Sequence, residues 1–96
     1  MRVEYTKRAT DDLRKVSKES RAFGHSVAAA VEARIREMIA RISERPEAAA
    51  RIIERPGMYV VPLVRYPYKI FYRVLEDRIR VLHIRHSSRR PWTRDR

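Results

Sequence analysis

The stretch of sequence that decides the fold is residues 68–86, which read YKIFYRVLEDRIRVLHIRH. Tyr68–Leu75 is rich in aromatic and β-branched residues, the composition typical of a β-strand, and Arg78–His86 is predicted to be its partner. Only Glu76-Asp77 separates the two segments, which is short enough for a tight hairpin connection. The stretch therefore predicts two adjacent antiparallel strands.

Two further strands are predicted outside this hairpin. Pro56-Gly57 marks a turn, and Met58–Val64 is a β-rich run. Pro62 within that run favours an edge or kinked strand, because proline has no N–H to donate to the ladder. Glu47–Arg55 is predicted to be a linker. At the start of the chain, Arg2–Tyr5 alternates charged and apolar residues, which predicts a short first strand.

A first helix is predicted to follow the first strand. Thr6 or Thr10 can cap it, and we expect Asp11 and Asp12 early in it, where the helix dipole favours acidic side chains. Gly24 can end this helix and let the chain reverse. Its apolar stripe consists of Ala9, Leu13 and Val16.

The second helix has the strongest periodicity in the sequence, and Pro46 ends it. Arg34, Glu37 and Arg41 lie outside its apolar stripe. That stripe consists of Val27, Val31, Ile35, Met38 and Ile42. So few residues join the two helices that they must lie side by side as a hairpin.

The order of elements is β-α-α-β-β-β, which predicts an α+β fold with a helical hairpin on one face of a small, twisted, mainly antiparallel sheet. The opposite face has little to cover it, so we expect it to face water or a ligand. Residues 1–96 are predicted to form a single domain, with residues 93–96 frayed at its end.

Composition excludes several classes of protein. The chain has no cysteine, which rules out a disulfide framework, a thiolate zinc site and a cysteine nucleophile. No apolar run approaches the ~20 residues that a membrane span needs, and the N-terminus has no apolar signal region. We therefore expect a cytoplasmic protein without a membrane partner.

The positive charge is concentrated at the C-terminal end. Of the net charge of +11, residues 1–64 contribute +4, from thirteen basic and nine acidic side chains. Residues 65–96 contribute +7, from ten basic and three acidic side chains, and nine of those ten are arginine. Arginine is well suited to bidentate contacts with phosphate and carboxylate. A polyanionic partner is one explanation, and ordinary arginine decoration of the surface is the other.

The second half of the chain resembles the C-terminal half of RelE/ParE toxins, and the ParE branch more closely. The resemblance is carried by the aromatic-rich strand with Tyr72-Arg73-Val74, by a strand ending at His86, and by Arg89 and Arg90 three and four residues later. The first strand and the helical hairpin match the family in order and length. The resemblance therefore covers nearly the whole chain.

This resemblance implies the toxin of a type II toxin–antitoxin pair, neutralised by a cognate ParD-like antitoxin with an acidic amphipathic C-terminal tail. ParE-like toxins inhibit DNA gyrase, whereas RelE-like toxins cut messenger RNA on the ribosome, and fold alone does not separate the two. Gyrase inhibition is our first expectation. A ribosome-dependent endoribonuclease and a non-toxic basic nucleic-acid-binding domain are the alternatives.

A ribonuclease would need a base, cations and a proton donor. The candidate catalytic residues for that alternative are Lys69, Arg73, Arg85 and His86. RelE-like nucleases usually place a tyrosine or similar group near the C-terminus, where this chain has Trp92, which has no titratable proton. Binding is therefore favoured over bond breaking.

Binding of the target is expected to involve His86, Arg89, Arg90 and Trp92, because Trp and Arg often anchor interfaces. The alternative is that Trp92 only packs the C-terminal tail against the body of the protein. Antitoxin binding is expected to involve Arg34, Arg41 and Arg65, which would meet the carboxylates of its tail.

The two histidines of the last strand do not predict a metal site. His83 and His86 lie three residues apart, which places them on opposite faces of a strand, and no third ligand is evident. His83 is predicted to lie in or near the core. We expect neither a metal nor a cofactor.

Overall fold

Five strands form one mixed sheet, and the two helices pack on one of its faces. The fold is given by a computed structural model that describes residues 1–51 and 55–87, apart from the side chains of residues 50 and 51. In chain order the elements are β1 (Arg2–Tyr5), α1 (Lys7–Arg21), α2 (His25–Glu44), β2 (Ala50–Arg51), β3 (Met58–Pro62), β4 (Tyr68–Val74) and β5 (Arg78–His86).

The strands lie in the order β1-β5-β4-β3-β2. The first strand, β1, pairs in parallel with the last strand, β5, and the remaining pairs are antiparallel. The predicted α+β order is confirmed, and the predicted linker adds the two-residue strand β2 on the far side of β3. Pro62 lies beyond the part of β3 that pairs with β2, so the β2–β3 ladder loses no hydrogen bond through its missing N–H.

The helical hairpin forms as its periodicity predicts. Thr6 is the N-cap of α1, and its Oγ1 accepts from the Ala9 N–H at 3.0 Å. Asp11 and Asp12 were expected early in this helix, and that placement is wrong. Because Thr6 is the N-cap, the first turn begins at Lys7 and contains no acidic residue. Gly24 turns the chain into α2 with a φ of 107°, a conformation open to glycine.

The core lies between the helices and the sheet. All the predicted stripe residues of α2 are buried except Val27, which is partly buried and packs against the core. From the sheet, the largest fully buried side chains are Ile70, Tyr72, Ile79 and Val81. No helix in the described ranges, 1–51 and 55–87, is long and apolar enough to cross a membrane.

Candidate functional site

The face of the sheet opposite the helices collects cationic side chains. Because successive side chains of a strand point to opposite faces, Lys69 and Arg73 lie on the face opposite the fully buried Ile70. The register of β4 and β5 places Arg85 beside Lys69 and Arg80 beside Arg73. We call this surface the cationic face, and its basic members on β4 and β5 are Lys69, Arg73, Arg78, Arg80 and Arg85.

One carboxylate holds part of the cationic face in place. Glu4 of β1 lies next to Arg80 in the parallel register, and its Oε1 accepts from Arg80 Nε at 2.5 Å and from Arg78 Nε at 3.3 Å. These hydrogen bonds, that of Arg80 above all, lower the pKa of Glu4 below its usual value. Glu4 is therefore a carboxylate engaged with two guanidinium groups, and a poor proton acceptor.

Two pairs of like charges face each other across β4 and β5. Lys69 is paired with Arg85, and Arg73 with Arg80. Arg73 Nη1 donates to the Pro56 carbonyl at 3.4 Å, so its guanidinium is directed toward the turn before β3. Like charges directly opposite each other in a sheet are destabilising. The arrangement thus concentrates positive charge on this face, where Glu4 balances part of the charge of Arg80.

A buried histidine of β5 connects the cationic face to helix α1 through a hydrogen bond. His83 is 4% exposed, and its Nδ1–H donates to Asp12 Oδ2 at 2.5 Å, while the same oxygen accepts from the Ile84 N–H at 2.9 Å. Arg8 Nη2 lies 3.4 Å from His83 Nε2. Because a guanidinium can only donate, Nε2 acts as the acceptor, so the geometry fits the neutral imidazole.

The environment of His83 also favours the neutral form. Burial lowers the pKa of His83, the cations Arg8 and Arg85 lower it further, and the Asp12 carboxylate acts against them. The predicted core position of His83 is confirmed. Its partner Asp12 was missed, because the two residues are 71 positions apart and no local spacing connects them.

His86 lies apart from the other candidate catalytic residues. It pairs in register with Tyr68, a core residue, and the two rings meet edge to face with centroids 5.4 Å apart. The structure therefore brings Lys69, Arg73 and Arg85 together on the cationic face and leaves His86 on the helical side of the sheet.

The predicted antitoxin-binding residues line two grooves along α2. The first groove, of about 560 Å³, has Arg34 of α2 on one side and Arg65 of the loop before β4 on the other. Arg65 adopts a φ of 80°, unusual for a residue with a side chain. Between the two arginines the groove is lined by Ala30, Ala33, Glu37, Val64 and Tyr66.

The second groove continues toward the C-terminal end of α2. It has a volume of about 380 Å³, and Arg41 and Arg45 line it together with apolar side chains that include Met38, Val61 and Tyr72. Within the first groove, Arg34 Nη1 donates to Glu37 Oε1 one turn later. The three predicted arginines thus border one continuous side of α2, with Arg34 and Arg65 in a shared groove.

The remaining predicted site residues lie outside the described residues. They are Arg89, Arg90 and Trp92, all in the segment after Ser87. Within residues 1–51 and 55–87, no group of three or more histidine, cysteine, aspartate or glutamate side chains could hold a metal ion.

The chain matches one protein-family model along nearly its whole length. Residues 3–91 match the model described as the ParE toxin of type II toxin–antitoxin systems, parDE. Among curated proteins, no sequence matches the chain significantly.

Solved structures with the same fold include toxins of several bacteria. The chromosomal ParDE system of P. aeruginosa superposes with a TM-score of 0.77 at 25% identity, over 90% of this chain and 95% of that chain. The intact E. coli RelBE toxin–antitoxin complex gives 0.66 at 19% identity, over 92% and 98% of the two chains. The YoeB/ParE toxin of Agrobacterium tumefaciens is 18% identical and covers 90% of this chain and 98% of its own.

Proposed function

The chain belongs to the ParE family of toxins of type II toxin–antitoxin systems, and from this membership we propose that it arrests growth in the cytoplasm by inhibiting DNA gyrase. A cognate antitoxin, resembling ParD, neutralises it. Inhibition proceeds by binding to the target and leaves nucleic acid uncut.

The observation that carries this proposal over cleavage is the chemistry of the cationic face. Its described residues offer cations for phosphate, whereas the Glu4 carboxylate and the His83 imidazole are both engaged with other side chains and are poorly placed to take up a proton. Glu4 is held by Arg78 and Arg80, which depress its pKa, and His83 is buried against Asp12. His86, the other candidate base, lies on the helical side. A surface of this kind binds anions, whereas RNA cleavage needs a positioned base.

Growth arrest is tested by inducing the chain without its antitoxin and following DNA and protein synthesis separately by pulse-labelling. DNA synthesis should fail first, and the purified toxin should inhibit supercoiling by gyrase. Earlier failure of protein synthesis would favour the ribosome-dependent endoribonuclease, with Lys69, Arg73 and Arg85 as its first candidate catalytic residues. Absence of any arrest would favour the non-toxic nucleic-acid-binding domain.

We further propose that gyrase is contacted by the C-terminal patch of His86, Arg89, Arg90 and Trp92. Replacing Arg89 and Arg90 together with alanine should abolish inhibition of gyrase while the antitoxin still binds. Inhibition that survives in the double variant would place the effector surface elsewhere on the toxin.

For the antitoxin, we propose that its acidic amphipathic tail lies in the two grooves along α2. Apolar side chains of the tail would contact the floor formed by Ala33, Val64 and Tyr66, and carboxylates would meet Arg34 and Arg65. Arg41 extends the same contact into the second groove. Val64 is 58% exposed, which leaves an apolar side chain open to such a partner.

The antitoxin contact is tested by calorimetry with a peptide of the antitoxin tail. Arg34→Glu should weaken binding and raise the dissociation constant by at least about tenfold, which corresponds to ~1.4 kcal/mol of binding free energy. Arg36→Glu is the matched control, since Arg36 is exposed on the same helix and lines neither groove. Equal weakening by both variants would show that the peptide responds to net charge and not to the groove.

A further inference from the structure

We propose that Glu37 determines which ligands the first groove along α2 accepts, because its carboxylate occupies Arg34 in the free toxin and has to be displaced by a carboxylate of the ligand. The inference rests on the proposed function, since the acidic tail of the antitoxin is taken as that ligand. Glu37 is thus an internal competitor, a residue of the toxin that opposes binding and thereby makes it selective.

Arg34 and Glu37 form an ion pair in the lining of this groove. They lie three residues apart on α2, which brings their side chains together, and Arg34 Nη1 donates to Glu37 Oε1. The side chain of Arg34 is 24% exposed and that of Glu37 is 53% exposed, so the carboxylate is the more accessible partner. A ligand carboxylate that pairs with Arg34 therefore has to lie beside Glu37 or take its place.

The two routes to Arg34 differ in free energy. Lying beside Glu37 is unfavourable, because two carboxylates at short range repel each other. Taking the place of Glu37 costs little, since an ion pair between neighbouring turns of an exposed helix is weak. Exchange of one carboxylate for another leaves the number of ion pairs at Arg34 unchanged, so the charge of the ligand by itself gains little there.

The floor of the groove supplies the contact that such a ligand still needs. Ala30, Ala33, Val64 and Tyr66 lie between the two arginines, and Val64 is 58% exposed. A ligand with apolar side chains removes this surface from water when it binds, which a small anion does not. Glu37 therefore discriminates against anions that bring charge alone, and in favour of an acidic amphipathic segment such as the antitoxin tail.

Arg65, on the opposite side of the groove, differs from Arg34. It is exposed, and among residues 1–51 and 55–87 no carboxylate lies at ion-pair distance from its guanidinium. A ligand carboxylate that binds there forms a new ion pair and displaces none. Competition by Glu37 is therefore specific to the Arg34 side of the groove.

The test measures binding of the full-length toxin to the antitoxin-tail peptide by calorimetry. Glu37→Gln should lower the dissociation constant by roughly two- to fivefold, because Arg34 no longer has to release a carboxylate. Glu32→Gln is the matched control, since it removes the same charge from another exposed position of α2. Glu32 accepts from Ser17 Oγ at 3.1 Å and lines neither groove along α2, so this variant should bind as the parent does.

A double-mutant cycle shows whether Glu37 acts through Arg34. In the Arg34→Ala background, Glu37→Gln should leave the dissociation constant unchanged within about 1.5-fold. A gain as large as in the parent would overturn the proposal, because Glu37 would then repel the peptide directly. Equal gains from Glu37→Gln and Glu32→Gln would also overturn it, since net charge alone would govern binding.

A second measurement uses the toxin without any ligand. Phenylglyoxal modifies arginine side chains, and mass spectrometry of the digested protein locates the modified residues. Glu37→Gln should raise the rate of modification of Arg34 by at least about twofold and leave that of Arg65 unchanged. Equal rates at Arg34 in the parent and in the variant would contradict the proposal, because Glu37 would then not occupy this arginine.

Failure of this inference can be told apart from failure of the proposed antitoxin contact. If Arg34→Glu leaves the affinity for the peptide unchanged, the antitoxin does not use this groove, and the role of Glu37 falls with it. If Arg34→Glu weakens binding but Glu37→Gln does not tighten it, the antitoxin contact stands and only the role of Glu37 is wrong.

Discussion

Along β4, the two faces of the sheet differ residue by residue. On the helical side, Ile70 and Tyr72 are fully buried against the hairpin, and Tyr72 donates its hydroxyl to the Pro46 carbonyl at 2.5 Å. Burial raises the pKa of Tyr72 to about 12, with Tyr59 as a second cause. On the other side, Lys69 and Arg73 are partly exposed and face further cations.

We expect this difference to separate stability from recognition within one strand. The helical side gains free energy by removing apolar surface from water, whereas on the cationic face like charges lie opposite each other and only some of them are paired with carboxylates. Substitutions on the two faces should therefore have opposite consequences, one for folding and the other for binding.

The largest effect on stability is expected on the helical side. Ile70→Ala should lower the free energy of unfolding by about 2–5 kcal/mol, because it leaves a cavity in a fully buried site. Lys69→Ala, at the neighbouring position, should change it by less than about 0.5 kcal/mol. Urea unfolding followed by circular dichroism measures both. Comparable losses would show that the two faces do not divide stability from recognition.

A smaller effect is expected at the point where the two faces are connected. Asp12→Ala removes the acceptor of the His83 Nδ1–H and of the Ile84 N–H, leaving two buried donors unpaired, which should lower the free energy of unfolding by about 2–3 kcal/mol. Asp11→Ala is the control, since Asp11 is exposed and its carboxylate pairs with the exposed Arg14, at 3.4 Å. Thermal unfolding should show a clear loss for Asp12→Ala alone, and similar midpoints for the two variants would contradict the role of Asp12.

The smallest effect concerns pH. The pKa of His83 is lowered in the folded state, so below about pH 6.5 the unfolded chain binds more protons than the folded chain. The free energy of unfolding should therefore fall as the pH drops from that value toward the lowered pKa. Urea midpoints at about pH 7.5 and about pH 5.5 should differ more for the parent than for His83→Gln. This range avoids the titration of Glu4, whose lowered pKa acts at more acid pH. An identical pH dependence in the two proteins would exclude His83 as its source.

Parts of the site could be predicted from the sequence because they depend on local periodicity. The alternation of Lys69, Ile70 and Phe71 already assigns the two faces of β4 once the segment is known to be a strand. The burial of Ile35 and Ile42 follows in the same way from the 3.6-residue period of α2. The position of Asp12 within α1 could not be predicted, since capping by Thr10 instead of Thr6 would start the helix one turn later and place Asp12 one turn nearer to its N-terminus.

The sequence by itself determined every element except the two-residue β2, the order of those elements and the excess of positive charge near the C-terminus, because propensity, periodicity and composition are properties of neighbouring residues. Only the tertiary structure decided which charges meet. The register of β5 is irregular between Phe71 and Tyr72 of β4, and beyond this point it sets Arg85 opposite Lys69 and turns His86 toward Tyr68. The parallel pairing of β1 with β5 brings Glu4 to Arg80, and the docking of α1 brings Asp12 to His83. The last two contacts join residues more than 70 positions apart. They form only when the sheet closes, so no local pattern encodes them.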